Sequence, residues 1–254
     1  MIQTKYDAIY LAPHLDDAAL SCGGQIYQQT EVGKKILIVT IMAGDAPDNV
    51  LSGHAVELHE RWQIENEIVA TRRHEDKLAS QILGADYLHW SIPDCVYRFI
   101  PNTKTLFYST WPEIIGDVHP QEQQLIQTLS KKLMTLPPAK QIFAPLTIGN
   151  HVDHQIVRQA AENCFTENLA YYEDYPYVQT SGALEGVISP YNTEWQATKI
   201  PLSAEAIQKK AEAITAYRSQ LSTFFKDQQD LQRQLTTYAQ KVGGEKIWHQ
   251  HKMA

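Results

Sequence analysis

An alternation in the sequence limits this chain more than any other feature. Short runs of apolar, β-branched and aromatic residues recur at 8–13 (AIYLAP), 35–44 (KILIVTIMAG), 85–92 (ADYLHWSI), 140–146 (KQIFAPL) and 168–177 (NLAYYEDYPY), and each reads as a strand. Longer stretches at helical spacing lie between them, over 57–83, 122–136 and 153–165. In the last, Ile156, Val157, Ala160, Ala161, Cys164 and Phe165 return every three to four residues. Strand and helix in repetition predict an α/β fold of three layers, a mostly parallel sheet with helices on both faces, because a parallel crossover needs a helix and the helix must bury its stripe. The 254 residues, 43% of them hydrophobic, suit one domain over 1–254. Residues 181–203 read as a β-hairpin excursion, 204–225 as one amphipathic helix, and Gln-rich 227–240 as a weakly specified helix, so that 204–254 forms a helical segment.

The formal charge of −7 argues against a nucleic-acid partner, which needs a basic face to neutralise phosphates. A small polar or uncharged ligand fits better. Cys22, Cys95 and Cys164 lie far apart with no CxxC, as in a reducing compartment. The six-residue apolar run before the acidic pair is too short for a signal peptide, and no later stretch approaches ~18 apolar residues. The expectation is a cytoplasmic protein with no membrane partner, and a homo-oligomer is compatible with it.

In such sheets ligands gather at the carboxyl ends of the strands. Two polar clusters fall there: "PHLDD" (13–17) after the first strand and "HVDH" (151–154) after the fourth. Adjacent carboxylates repel and are costly to desolvate unless a cation, a proton or hydrogen bonds compensate them. A catalytic zinc site takes three N or O ligands and keeps one position open for water. His14 and Asp17, three apart across a strand-to-helix turn, can converge on one ion, with a distant histidine such as His154 completing the set. Asp16 is then left beside the bound water, where a carboxylate serves as general base.

With "PHLDD" and "HVDH" together, the chain resembles the LmbE/PIG-L family of zinc-dependent N-deacetylases, whose motifs are PHxDD or HPDD and HxDH. The resemblance implies a Rossmann-like fold and removal of acetyl from an N-acetylated amino sugar of the N-acetylglucosamine type, or its conjugate. It implies one Zn²⁺ per chain, or another divalent metal, on His14, Asp17 and His154, with Asp16 as base. It further implies that His151 stabilises the oxyanion or protonates the leaving amine, Asp153 favouring its charged form. "RRHEDKLASQILGAD" (72–86) resembles the family helix that places Arg72 and Glu75 near the site, and "IPDCVYR" the loop in which an aspartate, here Asp94, contacts the sugar. "KAEAITAYRSQL" (210–221) resembles the family's C-terminal helix. Many members carry Glu after the acidic pair; Ala18 stands there, in a "PHLDDAALSxGG" form like the subgroup containing glycopeptide-antibiotic deacetylases. Two rivals stand beside this reading: an amidase acting on a larger amide such as a thiol conjugate, and a sugar-binding protein without turnover.

Simpler readings compete at several positions. Aspartates such as Asp16 cap helix N-termini well, "TRRHEDK" suits a solvated helix face, and Asp94 suits a turn after Pro93. Glu173 or Asp174 in "YYEDYPY" could reach the rim. His54, His59, His74, His89, His119, His249 and His251 lack ligand spacing. Gly23-Gly24 is not GxGxxG, and small residues there let the first helix pack closely on the sheet.

Overall fold

The computed structural model describes residues 2–47, 51, 53–62 and 67–251. The first apolar run is β1 (Tyr6–Ala12), followed by α1 (Asp17–Glu31), β2 (Ile36–Thr40), α2 (Gly53–Trp62), α3 (Ile68–Ile82) and β3 (Asp86–His89). The chain continues through α4 (Trp111–Ile114), α5 (Gln123–Leu133), β4 (Ala139–Pro145), α6 (Val152–Glu162) and β5 (Leu169–Tyr172). It closes with β6 (Trp195–Ile200), α7 (Ala204–Thr215), α8 (Arg218–Phe224), α9 (Gln228–Val242) and β7 (Glu245–Gln250). The sheet order is β3-β2-β1-β4-β5-β7-β6. The first five strands are parallel, and β7 is antiparallel to both β5 and β6.

The parallel strands are buried on both faces, so β2 is apolar almost throughout, ILIVT, with every residue buried. Alternation along β1 sends Ala8, Tyr10 and Ala12 to one core and Ile9 and Leu11 to the other. The first core is closed by Ile26 of α1, Ala79 of α3 and Ile214 of α7, the second by Leu129 of α5 and Ile156 of α6. A third, smaller cluster lies beyond the strand ends, where Leu15, Ala55, Val69, Cys95, Ile114 and Val152 pack together. It seats α2 and α4 against the carboxyl rim. β1 and β4 are neighbours whose chains leave toward opposite sides, which makes the gap between them the switch point where such sheets bind ligands.

The five expected strands and the layered α/β arrangement are present. The stretch 181–203 is not a hairpin: its one strand, β6, pairs with β7 rather than with its own segment. β7 also interrupts the tail expected to be helical; its sequence EKIWHQ is short and charged, without the apolar run that marks the parallel strands, and it lies between β5 and the edge strand β6. The stretch 57–83 holds two helices rather than one, with 63–66 outside the described residues. The helix expected over 204–225 breaks at Ala216–Tyr217, because Glu75 of α3 takes the Ser219 N–H (3.0 Å) and hydroxyl (2.6 Å) and so caps a new turn. Gly23 and Gly24 make room for α7, the loop before it and the Glu245 side chain at the start of β7. A Cβ on Gly24 would lie 2.5 Å from Leu202, and one on Gly23 3.0 Å from Lys210. That close approach lets Lys210 reach Glu245 (2.7 Å), which in turn accepts the N–H groups of Gly24 and Gln25.

Candidate active site

The turn after β1 closes with the Asp16 N–H on the His14 carbonyl (3.0 Å), and α1 begins at Asp17. The Asp17 carboxylate folds back to accept the His14 N–H (2.7 Å). Asp16 stands at the N-cap position, yet its side chain caps nothing. The simple capping role therefore does not account for it. Across the switch point, His151 is the N-cap of α6, its Nδ1 accepting the Asp153 N–H at 3.2 Å. His154 follows one turn later, and one ring nitrogen from each of His14, His151 and His154 lies within 4.8 Å of the other two.

The partners of these rings divide them by role. His14 meets the buried Asp153 through Nε2 (3.1 Å), and its Nδ1 faces Asp17 Oδ2 at 3.3 Å. His154 meets the buried Asp174 through Nδ1 (2.6 Å), and its Nε2 faces the same Asp17 oxygen at 3.4 Å. Each imidazole is thus oriented by a carboxylate on one nitrogen, and both remaining nitrogens turn toward Asp17. A carboxylate behind a ligating histidine is the usual means of fixing its tautomer. Donors bound tetrahedrally at 2.0–2.1 Å lie about 3.3–3.4 Å apart, so the two separations fit a zinc-sized ion held by His14, Asp17 and His154. His151 differs: with Nδ1 engaged by the N–H of Asp153, its neutral ring carries the proton on Nε2 and is a donor there. A second grouping, Cys95, His151 and Asp153, fits a metal less well. Burial and then the charge of Asp153 hold the Cys95 thiol protonated, and Asp153 already pairs with Arg98 at 2.7 Å and accepts the Cys95 N–H.

Burial opposes charge on His14, but Asp94, Asp153 and Asp17 overcome it and hold the imidazolium well above its ordinary range. His154 behaves alike: burial lowers it, and Asp17 and Asp174 raise it to about 9. Asp17, although buried, is held well below the carboxylate range by these two histidines. Asp16 is pushed up to about 7 by burial and by the charge of Asp17, with Arg72 opposing. One carboxylate is therefore committed to the histidines while its neighbour is poised near neutrality. Asp153 raises the His151 pKa, as expected, but without keeping the ring charged. Burial and the charge of His14 push His151 well below its ordinary value, and Asp153 opposes them only in part. The Asp153 carboxylate is spent on Arg98 and His14.

Arg72 is buried, its guanidinium 4.5 Å from the centre of the Trp62 ring and 3.9 Å from Asp16 Oδ2. It is not on a solvated helix face. Its helix is anchored from behind by Asp76, which bonds Thr40, His89 and the Tyr217 hydroxyl. Glu75 lies outside the site and holds α8, as described above. Asp94 caps the following turn through the Val96 N–H (3.2 Å), as the turn reading has it, and also stands 3.7 Å from His14 Nε2 on the wall of the site.

These side chains line one cavity of about 140 Å³, which takes in His14, Asp16, Asp17, Arg72, Asp94, His151 and His154. Its outer wall comes from α2, α4 and α8, with His54, Trp62, Trp111, Thr223 and Phe224, and from Tyr177 in the segment after β5. Sequence reasoning passed over His54, which has no spacing signal, and the role of Asp174, which its place at the end of the fifth strand announces. A larger cleft of about 540 Å³ at the opposite end of the sheet, lined by Gln25, Lys140, Thr198 and His249 among others, holds none of the clustered histidines.

Comparison with known proteins places the site in context. The family model described as "PIG-L: GlcNAc-PI de-N-acetylase" matches residues 9–165, a span that contains both histidine-aspartate motifs. The chain is 24% identical over 249 residues to the 2'-N-acetylparomamine deacetylase of Niallia circulans, covering 89% of this chain and 84% of that protein. Its fold is similar to the zinc-inhibited form of teicoplanin deacetylase Orf2, with a TM-score of 0.78 at 23% identity over 97% of this chain and 99% of that one. It is also similar to the A40926 pseudoaglycone deacetylase Dbv21, with a TM-score of 0.74 at 24% identity over 98% of this chain and 99% of that one.

Proposed function

Because the chain belongs to the PIG-L (GlcNAc-PI de-N-acetylase) family, we propose that it is a metal-dependent N-deacetylase that hydrolyses the acetamide of an N-acetylated amino sugar or its conjugate. The observation that carries this reading is the division of the acidic pair: Asp17 faces two carboxylate-oriented histidines, whereas adjacent Asp16 pairs, among the described residues, with Arg72 alone at 3.9 Å and is raised to about 7. His14, Asp17 and His154 would hold the ion, zinc by the chemistry of the donor set. When bound, it supplies a Lewis acid for the acetamide oxygen and lowers the pKa of a water.

The remaining work falls to the protein. Asp16 takes the proton from the attacking water at a carboxylate oxygen and returns it to the departing nitrogen, so that water and amide become acetate and amine. A base poised near pH 7 suits both transfers. His151 donates Nε2–H to the acetamide oxygen as negative charge develops there, acting as a neutral imidazole rather than as the expected imidazolium. Its helix favours that state, since the N-terminus of α6 repels a positive charge. Arg72, fixed against Trp62, orients Asp16 and stands on the cavity wall beside Asp94, where both can meet substrate hydroxyls. The three unpaired cysteines suit a cytoplasmic setting.

The test is acetate release from a panel of N-acetylglucosaminides by the metal-loaded protein, beside substrates with longer acyl groups. Acetate release supports the proposal. Faster release of longer acyl groups would favour the amidase, and metal binding with no turnover of any amide would favour a sugar-binding protein.

A further inference from the structure

We propose that the collar formed by α2, α4 and α8 is a second subsite, which takes a neutral hydroxylated ring joined to the N-acetylated sugar and stacks it on Trp111; this rests on the deacetylase reading of the inner site. The collar differs chemically from the floor. Beside the histidines the cavity is acidic, with Asp16, Asp17 and Asp94, while the collar offers aromatic faces and isolated polar atoms. Two of these atoms, His54 Nε2 and Thr223 Oγ1, are buried and have no hydrogen-bond partner among the described residues. Buried polar atoms are nearly always paired, and leaving one unpaired is destabilising. They line the same wall from different helices. A hydroxyl, which both donates and accepts, satisfies either atom in whatever tautomer or rotamer it adopts. An alkyl chain satisfies neither, and Arg61 on the same wall disfavours a cationic ring.

Trp111 gives the second, independent observation. It lines the cavity, yet 45% of it is exposed, among the few large apolar side chains left in solvent. Its backbone is fixed by a capping box between Thr110 and Glu113 with Pro112 in the first turn, so the turn that carries the indole is held at the cavity mouth. The His54 ring lies 6.1 Å from it, tilted by 45°. An indole face at the mouth of a polar cavity is a platform for the C–H face of a sugar or cyclitol ring. The enclosed volume of about 140 Å³ is below the roughly 300–1,000 Å³ of sites that enclose a whole drug-sized ligand. A two-ring substrate must therefore extend past Trp111.

The experiment compares kcat/KM of the metal-loaded enzyme on N-acetylglucosamine, N,N'-diacetylchitobiose and octyl N-acetyl-β-glucosaminide. The expected result is a disaccharide preference of about tenfold over the monosaccharide, cut to about one-fifth or less by Trp111→Ala, retained largely by Trp111→Phe, and reduced severalfold by Thr223→Val, in the range of one aromatic stack and one hydrogen bond. Equal loss on mono- and disaccharide in Trp111→Ala, absence of any preference, or a greater Trp111-dependent gain for the octyl glycoside would overturn it. If no acetate appears from any of the three, the deacetylase reading fails by itself. The subsite is then decided by calorimetric binding of the same sugars to the metal-loaded Asp16→Asn protein with and without Trp111→Ala, where a Trp111-dependent disaccharide preference upholds it and its absence overturns it.

Discussion

The floor of the cavity and its collar are built on different rules. On the floor, His14, Asp17, Asp153, His154 and Asp174 lock one another in a chain of contacts at 2.6–3.4 Å, all anchored at the ends of β1, β4 and β5. In the collar, His54 and Thr223 keep polar atoms unpaired among the described residues and Trp111 stands half in solvent. A reaction needs its groups held in register before substrate arrives, so these five residues are satisfied by one another, while beside them Arg72 Nε is unpaired among the described residues and Asp16 is met by Arg72 at 3.9 Å. Selection of a substrate needs groups that are satisfied only by it, so the collar is not satisfied from within. The strongest way to break this comparison is to treat the two adjacent aspartates alike. Asp16→Asn should keep the metal and the fold while lowering kcat by about 10²–10⁴, the range of a general base. Asp17→Ala or His154→Ala should lose the metal itself. Metal analysis alongside kinetics separates them, and zinc retained at full occupancy in both ligand variants would sink the assignment.

His151 sharpens the same contrast from inside the floor, since it is the clustered histidine whose ring is not oriented by a carboxylate. His151→Ala should retain the metal and lower kcat by about 10²–10³, as for loss of one oxyanion donor. Because burial holds His151 neutral, joined by the charge of His14 before metal binds and by the ion's own charge once it is bound, its removal should leave the alkaline side of the pH–rate curve in place. An alkaline limb that vanishes in this variant would restore the charged form expected from the sequence.

How far the sequence revealed each region follows from these rules. The floor was legible because strand-end geometry forces its residues into short motifs: "PHLDD" spans one turn after β1 and "HVDH" the first turn of α6. The partner of His154 was half legible, since Asp174 ends the fifth apolar run. That Asp153 serves His14 was not, because Arg98 and the Cys95 N–H, which fix its direction, come from a loop with no periodicity. The collar was almost wholly illegible. His54, Trp111 and Thr223 meet only through the third core cluster and the Glu75–Ser219 contact, both non-local. The C-terminal sheet edge was missed for a similar reason: β6 and β7 are joined across three helices, and neither is an apolar run.

The floor should also titrate with the metal, whereas the collar should not. Without metal, the causes given above hold His14 well above its ordinary value and His154 at about 9, so both carry protons at pH 7. Metal takes the neutral imidazoles and must expel these protons. The sign follows: a raised histidine pKa weakens metal binding below it, and affinity rises with pH until the group is neutral. Affinity should climb with pH by about 10-fold per pH unit up to about pH 9 through the proton on His154, and more steeply for as long as His14 is protonated as well. Asp16, raised to about 7, adds a fraction of a third proton when the ion's charge drives it to ionise. Calorimetry at pH 7 in buffers of different ionisation enthalpy should count two to three protons released, and a count near zero would remove His14 and His154 from the ligand set.

The smallest effect belongs to Asp174, because its removal acts in two opposing directions. Asp174 Oδ1 holds His154 Nδ1 at 2.6 Å, while Oδ2 accepts the Ile148 N–H at 2.8 Å. In Asp174→Asn the amide can still accept from one of these, but its NH₂ then faces the other donor, and the negative charge behind His154 is gone. Loss of such a carboxylate typically lowers metal affinity by about 10–100-fold. The same charge, however, is one of the causes that raise His154 to about 9. Without it the imidazolium is less stable, so the proton competes less with the metal. Asp17, the larger of the two favourable causes, keeps part of the shift. At pH 7 the relief from proton competition offsets much of the lost basicity, and the variant should bind metal only severalfold more weakly. At pH 9, where wild-type His154 is itself half neutral, little relief remains and the defect should approach about 10–100-fold. Proton release at pH 7 should fall as well. Metal titrations of both proteins across this range decide the matter: a defect that widens with pH ties Asp174 to the proton on His154, whereas a defect of constant size would reduce it to a support for the Ile148 backbone.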